Sequence, residues 1–175
     1  MDKRYLTKAG FERFAAEHKH LWSVERRKVV AEVAAAAALG DRSENAEYIY
    51  GKRRLREIDR RLGYLTRLLE SATVIDPAER PPSPKALFGS FVTVEDEDGN
   101  TSTYQLAGRD EPSPRDGRIS IDSPLGRLLL GRRDGDDVTF KRPRGEVELV
   151  VTRVGNAPPD GWTPAANASD FGDAP

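Results

Sequence analysis

Apolar residues recur at helical spacing along the first 75 residues of the chain, where no proline occurs. This pattern predicts one long helix from an N-cap at Thr7 to Leu39, with Gly40 ending it. A second helix is predicted to begin within 41–44 and to run to about Ser71. The apolar positions of the first helix are Phe11, Phe14, Leu21, Trp22, Val29 and Val33.

The second helix carries a seam of apolar residues with alternating spacings of three and four, which is the heptad pattern of a coiled coil. Its members are Leu55, Ile58, Leu62, Leu65 and Leu69. Because the predicted connection is short, the two helices are expected to lie antiparallel as a hairpin. A helix of some thirty residues is roughly 45–50 Å long. A hairpin of this length is expected to project from the rest of the protein or to pack along a partner.

A proline-rich segment at 76–85 is predicted to link the hairpin, residues 1–75, to a second domain at 86–155. Beyond the linker the apolar positions alternate with period two, which predicts short strands. The predicted strands are 88–95, 101–106, 118–121, 138–141 and 147–154. Ser123 as N-cap and Pro124 at the first helical position predict one short helix. The predicted fold class is therefore α+β, a helical hairpin followed by a small antiparallel sheet with one helix.

Charge and composition change along the chain. The first 75 residues hold 16 Lys and Arg against 11 Asp and Glu, and the remainder holds 12 against 18. A basic helical part can face a polyanion, whereas the acidic remainder calls for a different partner. Residues 156–175 are rich in Pro, Ala, Gly, Asp and Asn, and they are expected to form a disordered tail, although Trp162 or Phe171 could dock on the domain.

Composition also excludes several kinds of protein. The chain has no cysteine, which rules out disulfides and thiolate metal sites, and its two histidines, His18 and His20, argue against a histidine-based zinc site. No apolar run is long enough to cross a bilayer, and polar residues interrupt every stretch that could serve as a signal peptide. A cytoplasmic protein without a membrane partner is the expectation.

The segment between the predicted helices, residues 40–48, is polar and acidic. Asp41 and Glu44 are three positions apart, so in a first helical turn they share one face and can hold a hard cation such as Mg²⁺. The same spacing is equally typical of a capping box, with Asp41 as N-cap and Glu44 at the third helical position. From spacing alone both interpretations stay open, and they are compatible.

Basic residues follow this segment on the second helix. Arg53, Arg56 and Arg60 recur at i, i+3 and i+7 and so form one stripe, which Lys52 borders. A charged stripe is often only a solvated face. The alternative is a track for phosphate groups that leads toward the acidic turn.

Four segments together resemble the Gre transcript-cleavage factors of bacterial RNA polymerase, most closely their GreB branch. The segments are YLTKAG at 5–10, GDRSENAEY at 40–48, KRRLREIDRRL at 52–62 and ISIDSPLGR at 119–127. They occur in the same order as in the family, and the resemblance spans about Lys3 to Val154. It implies an N-terminal antiparallel coiled coil and a C-terminal FKBP-like domain.

The resemblance also implies a function at the active site of another enzyme. A factor of this kind binds RNA polymerase and passes its coiled coil into the secondary channel, toward the 3′ end of backtracked nascent RNA. By resemblance, Asp41 and Glu44 help to hold Mg²⁺ shared with the polymerase and orient the water that cleaves the RNA, and Ser43 and Asn45 support the tip. Such a chain supplies carboxylates rather than a complete enzyme. It is expected to be a monomer that binds Mg²⁺ only weakly by itself.

Two further contacts are implied by resemblance. One is a grip on the β′ rim helices of the polymerase by Asp122, Ser123 and Pro124. The other is a contact with extruded RNA by Lys52, Arg53, Arg56 and Arg60. Two competing hypotheses remain: an inhibitory channel binder of the same fold without cleavage activity, and a coiled-coil adaptor whose tip only caps its helix.

Overall fold

The structure is a computed structural model that describes residues 4–39, 45–142 and 145–162. The chain divides into two compact units, one formed by Ala9–Ala72 and the other by the residues on either side of that range. We call them the hairpin unit and the sheet unit. Within the described ranges, no helix combines the length and hydropathy needed to cross a membrane.

The hairpin unit contains both predicted helices. The first consists of α1 (Lys8–His20), a π-helical segment (Leu21–Glu25) and α2 (Arg26–Ala38), and the second is α3 (Ala46–Ser71). A small apolar core of Val29, Ile58 and Leu62 joins α2 to α3, with Leu21, Val33 and Leu55 packed against it. The seam of the second helix therefore packs on the first helix, as its heptad spacing predicts.

Three expectations for the hairpin are wrong. The second helix begins at Ala46 rather than within 41–44, because Asn45 provides its N-cap. Leu68 rather than Leu69 is fully buried at the end of the seam, since positions three and four apart both lie on the inner face of a helix. Trp22, predicted to belong to the apolar face, is 56% exposed because the π-helical segment displaces it from the seam.

Ion pairs on the two sides of the core fix the register of the helices. On one side the Arg54 guanidinium lies 2.7 Å from Glu25, and Arg61 donates to both carboxylate oxygens of Glu17, at 2.6 and 2.8 Å. The hydrogen bond with Glu17 raises the pKa of the Arg61 guanidinium above its ordinary value. On the other side Arg26 Nε lies 2.8 Å from an Asp59 oxygen. These pairs are partly exposed, so their main effect is to select one alignment rather than to add much stability.

The sheet unit contains two sheets and one helix. Its elements are β1 (Arg4–Thr7), β2 (Ala72–Ile75), β3 (Phe91–Asp96), β4 (Thr101–Ala107), β5 (Arg118–Ser120), α4 (Pro124–Leu129), β6 (Asp137–Arg142) and β7 (Gly145–Gly155). The five predicted strands and the short helix are confirmed. The short pair of β1 and β2 was not predicted, because four-residue strands carry too little alternation to be recognised.

The main sheet has the order β5-β4-β3-β7-β6, and its pairs are antiparallel with one exception. Strand β5 runs parallel to β4, which corrects the prediction of a wholly antiparallel sheet. The connection after β4 does not turn straight back but passes through residues 108–117 before β5 starts, and this detour brings β5 alongside in the parallel sense. The core lies between the sheet and α4, where Val92, Leu106, Leu129 and Val151 are fully buried.

A buried carboxylate joins β1 to the loop after β4. Glu111 is fully buried. Its carboxylate accepts hydrogen bonds from the Thr7 backbone N–H at 2.9 Å, the Thr7 hydroxyl at 2.5 Å and the Gly108 backbone N–H at 3.1 Å. A buried charge is tolerated only when donors surround it, and here three donors do so.

The proline-rich linker and the start of the tail are held in place. Asp76 caps a short 3₁₀ helix at Pro77–Glu79. Its carboxylate accepts hydrogen bonds from the Lys8 ammonium and from the Ala78 backbone N–H. These two hydrogen bonds lower the pKa of the Asp76 carboxyl. The Arg80 guanidinium donates to Asn156 Oδ1, and Asn156 Nδ2 donates back to the Arg80 carbonyl. The disorder expected from 156 onward therefore does not begin there, and Trp162 packs edge-on against Phe91. Residues 163–175, including Phe171, lie outside the described residues.

Candidate functional site

Asn45 closes the tip of the hairpin. Its side-chain oxygen accepts a hydrogen bond from the Tyr48 N–H at 3.0 Å, which is the N-cap bond of α3. Its side-chain amide donates at 2.8 Å to the carbonyl of Ala36, near the end of α2. One side chain thus satisfies an unpaired donor at the start of one helix and bonds a carbonyl in the last turn of the other. The Asn45 side chain therefore links the last turn of α2 to the first turn of α3.

The cap at Asn45 decides whether Asp41 and Glu44 form a capping box at the start of α3. The capping-box assignment for Asp41 and Glu44 is wrong, because Asn45 is the N-cap and the third helical position is Tyr48. Asp and Asn are both good N-cap residues, so the sequence alone does not distinguish Asp41 from Asn45 as the cap. Glu47 in the first turn favours the helix N-terminus through its charge. Capping α3 therefore does not require either carboxylate.

Asp41, Ser43 and Glu44 themselves lie outside the described residues, so their predicted roles remain predictions. Asn45, the fourth residue predicted at the tip, is described, and it holds both helices as stated above. Within the described ranges no group of three or more His, Cys, Asp or Glu is placed to hold a metal ion.

The two helices approach each other closely near the tip. Gly51 is buried in α3, and a Cβ atom added to it would lie 2.6 Å from Val33 Cγ2. Ala36, further along α2, is also buried, at 4% exposure. The missing side chain of Gly51 therefore lets α3 approach Val33 of α2 closely, which keeps the hairpin narrow at this point.

The two glycines of α3 provide a direct test of this packing. Gly51→Ala is expected to lower the free energy of unfolding of the hairpin by about 1 kcal/mol, because overpacking against Val33 outweighs the gain in helix propensity. Gly63→Ala is the matched control, since its added Cβ would meet only an Arg67 side-chain nitrogen at 3.6 Å. That change is expected to raise stability by up to about 1 kcal/mol. Denaturant unfolding followed by helical circular dichroism measures both, and an equal gain in both variants would contradict the packing argument.

The basic residues of α3 fall into two groups. Arg54 and Arg61 pair with the first helix, as described above. The predicted stripe points away from that helix: Arg56 and Arg60 are exposed, Lys52 is half-buried, and Arg53 is exposed and pairs with Glu57 along its own helix at 3.2 Å. The structure therefore separates the cations that join the helices from those that face solvent. The cations of the predicted stripe are those that face solvent, with Lys52 half-buried at its border.

The segment 122–124 lies at the start of α4. Ser123 is the N-cap, with its hydroxyl accepting from the Gly126 N–H at 3.1 Å and donating to the Ser120 carbonyl at 2.7 Å. Asp122 and Pro124 are exposed on either side, and Asp122 lies 3.4 Å from Arg109 Nε. A Cβ on Gly126 would lie 2.0 Å from the Ser120 carbonyl, so only glycine fits beneath the turn. The fold thus presents Asp122 and Pro124 on a rigid support.

Sequence reasoning missed two features of these regions. It did not identify Asn45 as the cap, although Asn is a strong cap former and Ala46 opens an uninterrupted helical pattern. It also missed Glu111, because nothing in a polar loop indicates that one of its carboxylates is buried. Neither Asn45's bond to Ala36 nor Glu111's bond to Thr7 follows from local periodicity.

Comparison with known proteins agrees with this architecture. The family description "Transcription elongation factor, N-terminal" (GreA_GreB_N) matches residues 4–74, and "Transcription elongation factor, GreA/GreB, C-term" matches residues 81–156. The chain belongs to the GreA/GreB family of transcription elongation factors.

Individual relatives carry the name of one branch. "Transcription elongation factor GreB" of Haemophilus influenzae is 47% identical over 150 residues, which cover 86% of this chain and 94% of that protein. The protein of the same name from Pseudomonas aeruginosa is 47% identical, with coverages of 85% and 88%. The crystal structure of GreA factor homolog 1 (Gfh1) of Thermus thermophilus is 26% identical and covers 87% of this chain and 99% of that one. Its TM-score is 0.41, too low to add to the assignment.

Proposed function

We propose that this chain binds RNA polymerase, inserts its hairpin into the secondary channel and stimulates endonucleolytic cleavage at the 3′ end of backtracked nascent RNA. Membership of the elongation-factor family supports the partner. The observation that carries the proposal is the cap at Asn45, because α3 needs neither Asp41 nor Glu44 as its N-cap. A helix end that Asn45 already caps does not need two additional carboxylates, whereas a shared cation site does.

The donor set of the tip fits Mg²⁺. The segment 40–44 offers two carboxylates and a hydroxyl and has no nitrogen or sulfur ligand, and Mg²⁺ prefers oxygen. Mg²⁺ is usually held by only one or two carboxylates with substrate phosphates and water, so the tip provides part of a site that the polymerase completes. Bound between the two proteins, the ion would activate water and stabilise the leaving oxygen. The carboxylates of Asp41 and Glu44 would be ligands of the ion, and Asn45 would hold the base of the segment in one conformation.

The stripe of Arg53, Arg56 and Arg60, with the half-buried Lys52 at its border, is proposed to bind the extruded RNA. In the same way, Asp122, Ser123 and Pro124 are proposed to contact the β′ rim helices, for which the capped turn at α4 provides a rigid base. The direct experiment adds the protein to a stalled, backtracked polymerase complex and measures release of short 3′ RNA fragments. Binding without any fragment release would favour the inhibitory alternative, and absence of binding would favour the adaptor.

Replacing Arg53, Arg56 and Arg60 together with Ala is expected to slow cleavage of long extruded RNA more than cleavage of two- or three-nucleotide extrusions. Each phosphate contact that is lost weakens binding and reduces its salt dependence, and only a long extrusion reaches the stripe. Cleavage rates measured across a series of backtracked lengths and salt concentrations check this. The control removes three exposed positive charges from the first helix, Lys19, Arg27 and Lys28, and leaves the stripe intact. An equal loss at every length would indicate a defect of folding or docking instead.

A further inference from the structure

The π-helical segment at Leu21–Glu25 changes which residues of the first helix face solvent. A π turn closes i→i+5 hydrogen bonds and so contains more residues than an α turn. The segment therefore keeps Leu21 against the apolar core of the hairpin, while its neighbour Trp22 lies outside that core at 56% exposure. A large aromatic ring that the backbone holds in solvent is unusual, and π segments of this kind are frequent at functional sites.

Ion pairs show on which side of the hairpin Trp22 lies. The Arg26 guanidinium stacks 5.5 Å from the centre of the Trp22 ring, and its Nε lies 2.8 Å from Asp59 on α3. Glu25 pairs with Arg54, so these two residues mark the opposite side. Trp22 thus belongs to the side of the hairpin on which Asp59 lies.

The same side leads back toward the tip along α3. Arg56, Lys52 and Tyr48 precede Asp59 by three, seven and eleven positions, spacings that keep residues on one side of a helix. We call the set of Tyr48, Lys52, Arg56, Arg26 and Trp22 the aromatic-basic flank. The eleven residues from Tyr48 to Asp59 span about 16 Å, and the turn from Arg26 to Trp22 adds about 6 Å. The half-buried Tyr48 and the exposed Trp22 therefore lie at the two ends of a row of cations about 20 Å long, in which Lys52 is half-buried and Arg26 pairs with Asp59.

We infer that Trp22 is a base-stacking platform for single-stranded RNA at the end of this flank farther from the tip. An aromatic ring beside a row of cations suits sequence-independent single-strand binding, because every base has a stacking face and every linkage carries a charge. Arg26 covers one side of the indole and holds it in place, which leaves the ring exposed to a base. This inference rests on the proposed function, since it identifies where a longer extruded RNA leaves the basic stripe.

Binding of RNA to the free protein tests the inference without any cleavage. Fluorescence anisotropy of a labelled single-stranded oligouridylate measures affinity for the full chain, where Trp22→Ala is expected to weaken binding about tenfold, the size of a stacking contact. Trp22→Phe keeps an aromatic ring and is expected to restore most of the affinity. Val24→Ala is the matched control, because Val24 is also exposed in the π-helical segment but lies two positions, about half a helical turn, from Trp22.

Tryptophan emission provides a second readout. The chain has two tryptophans, Trp22 and Trp162, so in a Trp162→Phe background all indole emission comes from Trp22. Stacking of a base on the ring is expected to quench that emission as oligouridylate is added, and the quenching is expected to diminish at high salt. Unquenched emission, or equal affinity of Trp22→Ala and the parent chain, would overturn the inference.

Two other results would distinguish RNA binding by Trp22 from contact with polymerase and from the proposed cleavage function. If Trp22→Ala binds oligouridylate like the parent but binds polymerase more weakly, the ring contacts protein and the RNA assignment is overturned. Cleavage by the unaltered chain in a stalled complex reports on the proposed function alone. A chain that fails to cleave but binds oligouridylate through Trp22 would refute that function and leave the platform intact.

Discussion

Replacing Asp41 or Glu44 with Ala is expected to reduce stimulated RNA cleavage at least about a hundredfold, with binding to polymerase nearly unchanged. Removing one group that stabilises charge in a transition state costs this much in other enzymes. Here the carboxylates would act only when the hairpin is inserted, so they contribute to the reaction and not to docking. The measurement is the rate of 3′ fragment release from a backtracked complex, with affinity determined separately by competition.

Two further variants separate catalysis from structure. Glu47→Ala also removes a carboxylate beside the tip, from the first turn of α3, and is expected to leave cleavage largely intact. Asn45→Ala is expected to lower the free energy of unfolding by about 1 kcal/mol, because it removes the N-cap. Asp41→Ala and Glu44→Ala are expected to change it by less than about 0.5 kcal/mol, because the cap remains. Normal stimulation of cleavage by both carboxylate variants would refute the assignment of the tip.

Replacing Glu111 with Ala is expected to lower the free energy of unfolding of the sheet unit by roughly 3–5 kcal/mol. The change leaves the Thr7 N–H, the Thr7 hydroxyl and the Gly108 N–H buried without their acceptor, and each unsatisfied donor costs about 1–3 kcal/mol. Denaturant unfolding followed by Trp162 emission in a Trp22→Phe background measures the loss, because Trp162 packs on Phe91 within the sheet unit. The bond joins residues 104 positions apart, so β1 is expected to detach first.

Matched variants make this prediction specific. Glu111→Gln keeps one acceptor oxygen and is expected to lose about half as much stability as Glu111→Ala. Glu146→Ala removes an exposed carboxylate paired with Lys141 and is expected to change stability by less than about 0.5 kcal/mol. A loss below about 1 kcal/mol in Glu111→Ala would mean that water or another acceptor replaces the carboxylate.

Periodicity identified most of the secondary structure because it depends on neighbours in the chain. The seam of Ile58, Leu62 and Leu65 packs as predicted, and the strand alternation that predicted β3 and β7 places Val92 and Val151 in the core. Ser123 caps α4 as expected, since Ser followed by Pro is a strong local start signal. These features need little information from distant residues.

Predictions failed where contacts between distant parts of the chain decide which residue caps a helix, which one packs in the seam or how a strand pairs. Asp41 and Asn45 are both good caps, and the bond from Asn45 to the Ala36 carbonyl favours the second. Trp22 has the spacing of a seam residue, but the π-helical segment keeps Leu21 in the seam instead. The parallel pairing of β5 with β4 depends on the path of residues 108–117, which has no periodic signal.

By itself, the sequence determined a helical hairpin with an acidic turn, a basic stripe on its second helix and a small sheet with one capped helix. It could do so because the periodicity of helices and strands depends on residues that are close in the sequence. Only the tertiary structure decided that Asn45 closes the tip, that Gly51 allows the helices to meet near it, that Trp22 is exposed and that Glu111 holds the first strand. Each of these depends on a partner in another element, and such partners become neighbours only when the chain has folded.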